Sequence, residues 1–163
     1  MKRALCLAIL LLLALLVSCV MPVVPSAAPR STRFPPGYLS SERYLDDLAW
    51  KDYTDYAKYH YPEGSAGIFE RASGYHRITP EEAAALPGFF DNFAQWAEIC
   101  SYLQGHYDFD PACVSPDDYL RFEITVQHVP FDPGAVYDDP WHCYGIYLFD
   151  VQTDTLYVLR NKD

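Results

Sequence analysis

Apolar and polar positions divide the chain into stretches of different period. From Ala4 to Val17 the sequence is apolar without a break (ALCLAILLLLALLV). From Val20 to Gly37 it has no period, and Pro, Ser and Ala dominate (VMPVVPSAAPRSTRFPPG), a composition that behaves as a semi-rigid spacer. Beyond it, helical spacing gives way to strand-like alternation. Leu45, Leu48 and Ala49, continued by Tyr53 and Tyr56, mark one face of a first helix over Ser41–Lys58, capped by Ser40; Asp46, Asp47, Lys51 and Asp52 mark the other. Pro62, Gly64 and Gly67 end it. Two short runs, Ile68–Ala72 and Tyr75–Ile78, flank Ser73-Gly74 and predict an additional short hairpin.

Thr79-Pro80-Glu81-Glu82 is a helix start: Thr79 caps, Pro80 suits the first helical position, and Glu82 completes a capping box. The spacing predicts a short helix to Leu86, stopped by Pro87-Gly88. A second amphipathic helix then carries Phe89, Phe93, Trp96, Cys100 and Leu103 on one face and stops at Gly105. Tyr119–His128 alternates, with Leu120, Phe122, Ile124 and Val126 on one side and Arg121, Glu123, Thr125 and Gln127 on the other. A turn-rich loop, HVPFDPGAVYDDPW, leads to a strand over Cys143–Val151, and Gln152-Thr153-Asp154 turns the chain into Thr155–Arg160. Helices first and strands last predict an α+β fold: two to three N-terminal helices packed on a C-terminal three-stranded antiparallel meander, with the additional hairpin.

The first apolar stretch changes the picture of where the chain works. Lys2 and Arg3 precede it, which is the pattern of a secretory signal. It closes on Leu16-Val17-Ser18-Cys19, a branched apolar residue, a tolerated residue, a small residue and a cysteine. These residues resemble the lipobox of bacterial lipoproteins. The resemblance is confined to the signal region. It implies that the Cys19 thiol carries a diacylglyceryl group and that the chain is cut just before it. It also implies an order of parts: a signal peptide over 1–18, a lipidated Cys and tether over 19–37, and one domain over 38–163. Two acyl chains satisfy the requirement for stable anchoring, and Lys2 and Arg3 keep the extreme N-terminus inside so that the bulk lies outside. Two alternatives stay open: a cut near Ser26-Ala27-Ala28, opposed by Pro29, that yields a secreted protein, and retention of residues 4–24 as a signal anchor.

The formal charge is −10, and loss of Lys2 and Arg3 takes it to −12. Such a surface repels phosphate backbones, which argues against nucleic-acid binding, and it disfavours docking on an anionic membrane surface, leaving that task to the anchor. Of five cysteines, Cys6 leaves with the signal and Cys19 is the lipidated one. Cys100, Cys113 and Cys143 permit three pairings. Cys113–Cys143 is favoured if their strands are neighbours, with Cys100 a buried thiol on the helical stripe.

Candidate chemistry is sparse. His60, His76, His106, His128 and His142 show no metal-ligand spacing, and HExxH, CxxC, GxSxG and glycine-rich phosphate loops are missing from the sequence. His106, Asp108 and Asp110 are the nearest approach to a metal cluster, but the glycine and distal Glu of an EF-hand loop are lacking. No metal, cofactor or catalytic residue is assigned. His142 and Cys143 are neighbours on a strand and point to opposite faces.

The loop over 128–142 is the most suggestive segment. It combines Phe131, Tyr137 and Trp141 with Asp132, Asp138 and Asp139, and long loops in compact domains often carry function. The expectation is a non-enzymatic, membrane-anchored extracytoplasmic module that binds an envelope protein or a cell-wall glycan through this loop, in the manner of an immunity or inhibitor protein. A small envelope hydrolase using convergent carboxylates or His, and a structural accessory lipoprotein of an envelope complex, are the alternatives.

Overall fold

The computed structural model describes residues 33–44, 53–124, 127–128 and 144–162. The chain divides into two units, Met1–Ser31 and Thr32–Asp163, and the described residues all belong to the second. Its centre is one antiparallel sheet built from β1 (Ser40–Tyr44), β2 (Tyr53–His60), β3 (His76–Arg77), β4 (Tyr119–Ile124), β5 (Gln127–His128), β6 (Tyr144–Asp150) and β7 (Thr155–Lys162). The strand order is β1-β2-β7-β6-β4-β3, and β5 pairs with β4 beside that path. The C-terminal strand lies against β2 along its whole length, from Tyr53↔Lys162 to His60↔Thr155. Two helices, α1 (Ala66–Glu70) and α2 (Pro80–Ile99), and a 3₁₀ turn over Pro111–Cys113 complete the described elements.

This architecture overturns the expectation of two to three helices on a three-stranded meander. The segment expected as a first helix, Ser41–Lys58, instead supplies β1 and the start of β2. The physical reason lies in its tyrosines. On β2, Tyr56 faces α2 and is fully buried, while Ala57 and Tyr59 face the other way and are buried too. A strand covered on both faces has no apolar–polar alternation to show, and Thr and Tyr favour it. The expected hairpin at 68–78 is absent as well. Residues 66–70 coil into α1, which lets Phe69 stack on Phe149 with ring centroids 3.8 Å apart, and β3 pairs with β4 by two residues, His76↔Leu120 and Arg77↔Tyr119.

The helix expected to stop at Leu86 continues. Its capping box forms, with Thr79 accepting from the Glu82 amide and Glu82 accepting from the Thr79 amide, but α2 runs for 20 residues straight through Pro87. Proline removes one helical hydrogen bond at a cost of about 3 kcal/mol. Leu86 and Phe90, four apart, are both fully buried, and each such side chain returns roughly 1.5–3 kcal/mol. The buried stripe is Leu86, Phe90, Phe93 and Ala97, rotated from the expected one; Phe89 and Cys100 pack at its margin.

Each face of the sheet has its own core. On one, α2 covers Tyr56, Leu120, Phe122, Ile146, Leu148 and Leu159. On the other, Ala57, Tyr59, Tyr61, Tyr119, Tyr147, Phe149, Leu156 and Val158 pack with α1 and with Phe34.

Candidate functional site

Strand pairing sends a row of polar residues to the face opposite α2. Asp55 pairs with Arg160, Arg160 with Gly145, and Gly145 with Glu123. Side chains opposite one another in an antiparallel ladder share a face, so these residues cross β2, β7, β6 and β4 in line. The Arg160 guanidinium lies 3.5 Å from Asp55. Gly145 keeps a gap in the row: a Cβ there would meet the Tyr147 ring at 3.1 Å, with Arg160 and Glu123 at 3.6 and 3.7 Å.

Glu123 is the centre of the cluster and is 2% exposed. Its Oε1 accepts from Arg121 Nε at 3.0 Å, Arg121 Nη2 at 2.7 Å and Arg33 Nε at 2.8 Å. Its Oε2 accepts from the Tyr147 hydroxyl at 3.3 Å. Arg121 also donates to the Ser73 carbonyl at 2.8 Å. Removing a carboxylate from water costs several kcal/mol, which two guanidinium groups and a phenol offset here. Burial, followed by the Glu123 charge, pushes the Tyr147 hydroxyl well above its ordinary pKa.

Arg33 belongs to a segment that lies across this face. Its carbonyl accepts from the Tyr75 hydroxyl at 2.5 Å. The Phe34 ring sits 5.1 Å from Tyr59 and 5.7 Å from Tyr147. Pro35 is buried, and its carbonyl accepts from the Tyr61 hydroxyl at 2.7 Å. Tyr38 meets the rings of Tyr59 and Tyr61 edge-on, and the Leu39 amide donates to the His60 carbonyl. The residues from Arg33 to Leu39 thus form a strap held by tyrosine hydroxyls, rings and one ion pair.

The other clusters are occupied by the fold. Asp108 accepts from Lys58 at 2.8 Å and from the Tyr56 hydroxyl at 2.7 Å. Burial pushes its carboxyl up, but these two hydrogen bonds and the Lys58 charge outweigh that and hold it below the ordinary range. Lys58 also reaches Glu42 at 3.2 Å. Asp110 caps the 3₁₀ turn through the Ala112 amide, and the His106 ring stacks on Tyr44 at 4.3 Å. His106, Asp108 and Asp110 therefore each serve partners of their own, and among the described residues no group of three His, Cys, Asp or Glu side chains could hold a metal ion.

Asp118 and Asp150 are both buried. Asp118 accepts from the Ser115 and Val151 amides, and Asp150 from the Gln152 and Thr153 amides and the Thr153 hydroxyl. They fasten turns. Cys113 is a free thiol beside them. Burial, then the charges of Asp150, Asp118 and Asp110, pushes it up to about 11, the reverse of an activated nucleophile. Its expected disulfide partner, Cys143, lies outside the described residues, as do Cys19 and the loop residues Phe131, Asp132, Tyr137, Asp138, Asp139 and Trp141.

Strand residues next to 45–52 and to 125–143 are described. Tyr44, Tyr53, Ile124, Tyr144 and Lys162 share one end of the sheet, as the registers Tyr44↔Tyr56, Tyr53↔Lys162, Ile124↔Tyr144 and Tyr144↔Asn161 require. Sequence reasoning missed Arg33, Arg160 and the pairing of Arg121 with Glu123. The last had a signal, opposite charges two apart on a strand, but that face reads as solvated unless the strap is known to cover it.

Comparison with protein-family models finds no match. Curated protein sequences and solved structures yield none either. Among the described residues, no helix is long and apolar enough to cross a membrane.

Proposed function

We propose that the chain is an exported lipoprotein, anchored through Cys19 on the outer side of a membrane, whose domain is a non-enzymatic binding module for an envelope protein or a cell-wall component. The observation that carries the anchor is Leu16-Val17-Ser18-Cys19 closing the apolar run after Lys2 and Arg3. Two findings support the binding role. The buried charged groups of the sheet are committed to fastening strands, turns and the strap, as a rigid scaffold needs. Ile124 and Tyr144 also lie at the same end of the sheet as Tyr44 and Tyr53, which bracket 45–52, where Asp46, Asp47 and Trp50 occur in sequence. Two stretches that carry acidic and aromatic residues, 45–52 and 125–143, are therefore bounded at one end of the sheet. Their net negative charge suits a basic partner, such as an exported toxin or hydrolase held in check.

The test is membrane fractionation and intact mass of the wild type beside Cys19→Ala, followed by capture from envelope extract beside Tyr137→Ala and Trp141→Ala. The expected result is a membrane-bound wild type whose mass begins at Cys19 plus acyl chains, a soluble Cys19→Ala form, and a captured component lost in both loop variants. Identical fractionation with a mass starting elsewhere would overturn the anchor. Capture indifferent to Tyr137 and Trp141 would overturn the loop as the binding surface.

A further inference from the structure

The face beneath the strap has the chemistry of a peptide-binding groove, and residues 33–37 fill it as a ligand would. Grooves that take proline-rich segments are lined by aromatic rings, whose hydroxyls bond the segment's carbonyls, and they exploit the low entropy of a chain stiffened by proline. Each part is present. Tyr75 and Tyr61 donate to the carbonyls of Arg33 and Pro35, two residues apart. Phe34 occupies a niche between Tyr59 and Tyr147. Glu123 pairs with the Arg33 side chain.

Two features of the groove and its occupant bear on exchange. Besides the bond from Arg33, Glu123 accepts two hydrogen bonds from Arg121, a residue of the sheet itself. The strap turns at Gly37, whose φ of +111° is a conformation that favours glycine, before Tyr38 and Leu39 rejoin β2.

We propose that this face is a recognition groove for an extended Arg-aromatic-Pro peptide of a partner protein, and that Arg33–Gly37 is an intramolecular occupant that competes with it. The groove is made of residues outside both the 128–142 loop and the anchor, so the inference stands whether or not that loop or the anchor reading survives. A short tether gives the chain's own segment an effective concentration on the order of millimolar. The partner binds well only when the strap is loosened.

The experiment is a titration of the full chain with fluorescently labelled RFPPGY, the sequence of Arg33–Tyr38, followed by anisotropy. Three proteins are compared: wild type, Arg33→Ala, and Arg33→Ala with Tyr61→Phe. Arg33→Ala is expected to bind about tenfold more tightly than wild type, because the competitor has lost its ion pair. Adding Tyr61→Phe, which keeps the ring and removes the donor, should reverse most of the gain, and a peptide with Glu for Arg should not bind. A folded Arg33→Ala chain with no saturable binding, or binding indifferent to Tyr61→Phe and to the Glu peptide, overturns the proposal. Concentration-dependent dimers dissolved by the free peptide would assign the groove to a second copy's strap and overturn the partner reading. Should Arg33→Ala fail to fold, hydrogen exchange of the wild type decides: excess peptide should speed exchange at the Leu39 amide, which bonds the His60 carbonyl, and an unchanged rate overturns the groove.

Discussion

One face of the sheet is covered by a 20-residue helix and the other by a strap of seven residues with a single helical turn beside it. The helix side is closed by carbon: Leu86, Phe90, Phe93 and Ala97 press on Phe122, Ile146 and Leu148. The strap side is closed by rings and polar fasteners, with Glu123 at their centre. Apolar contact is non-directional and grows with area, so it suits a broad helix. A short strap has little area to bury and must be held at points. Points of attachment can be released one at a time, whereas a packed helix cannot, so the two coverings differ in how reversible they are.

Three substitutions probe that distinction. Phe93→Ala, at a fully buried position on the inner stripe of α2, is expected to cost about 3–5 kcal/mol, read from urea unfolding. Glu123→Gln keeps the shape but loses the charge between Arg33 and Arg121; the expected cost is about 1.5–3 kcal/mol. A loss at Glu123 as large as that at Phe93 would show that the strap side is held as firmly as the helix side. The smallest effect is expected at Asp108→Asn. The folded Asp108 carboxyl titrates below its ordinary 3.8, so the unfolded chain takes up that proton first on acidification. Its contribution is present at neutral pH and disappears as pH falls through the lowered value. The melting curves of wild type and Asp108→Asn should differ at neutral pH and converge in acid; a gap that widens in acid would contradict the cause given for the shift.

The sequence showed the elements whose signals are local. The Thr79–Glu82 capping box and the alternation of Leu120, Phe122 and Ile124 depend on neighbours in the chain, and both appear in the structure. What failed was non-local. Ser41–Lys58 reads as a helix because Leu45, Leu48, Tyr53 and Tyr56 fall at helical steps, whereas β2 is fixed by pairing with a C-terminal strand about a hundred residues away. Pro87 and Gly88 read as a stop because the burial of Leu86 and Phe90 on one stripe is a tertiary fact. The site followed the same rule. Arg33 lies in a proline-rich stretch that reads as tether, and its partner Glu123 is 90 residues on. No window of sequence holds both.

The row Asp55–Arg160–Gly145–Glu123 also acts on assembly. Long antiparallel ladders of similar aromatic strands are exposed to slippage, since a shift of two residues keeps every side chain on its face. Here such a shift is marked by charge and volume. Moving β6 by two residues against its neighbours would set Tyr147, with its Cβ, at the place between Arg160 and Glu123 where Gly145 now lets the Tyr147 ring lie close over the backbone. The glycine therefore works as a key for alignment. It favours one pairing of four strands, one of which, β2, lies far from the others in the chain, and raises the energy of the neighbouring misaligned states.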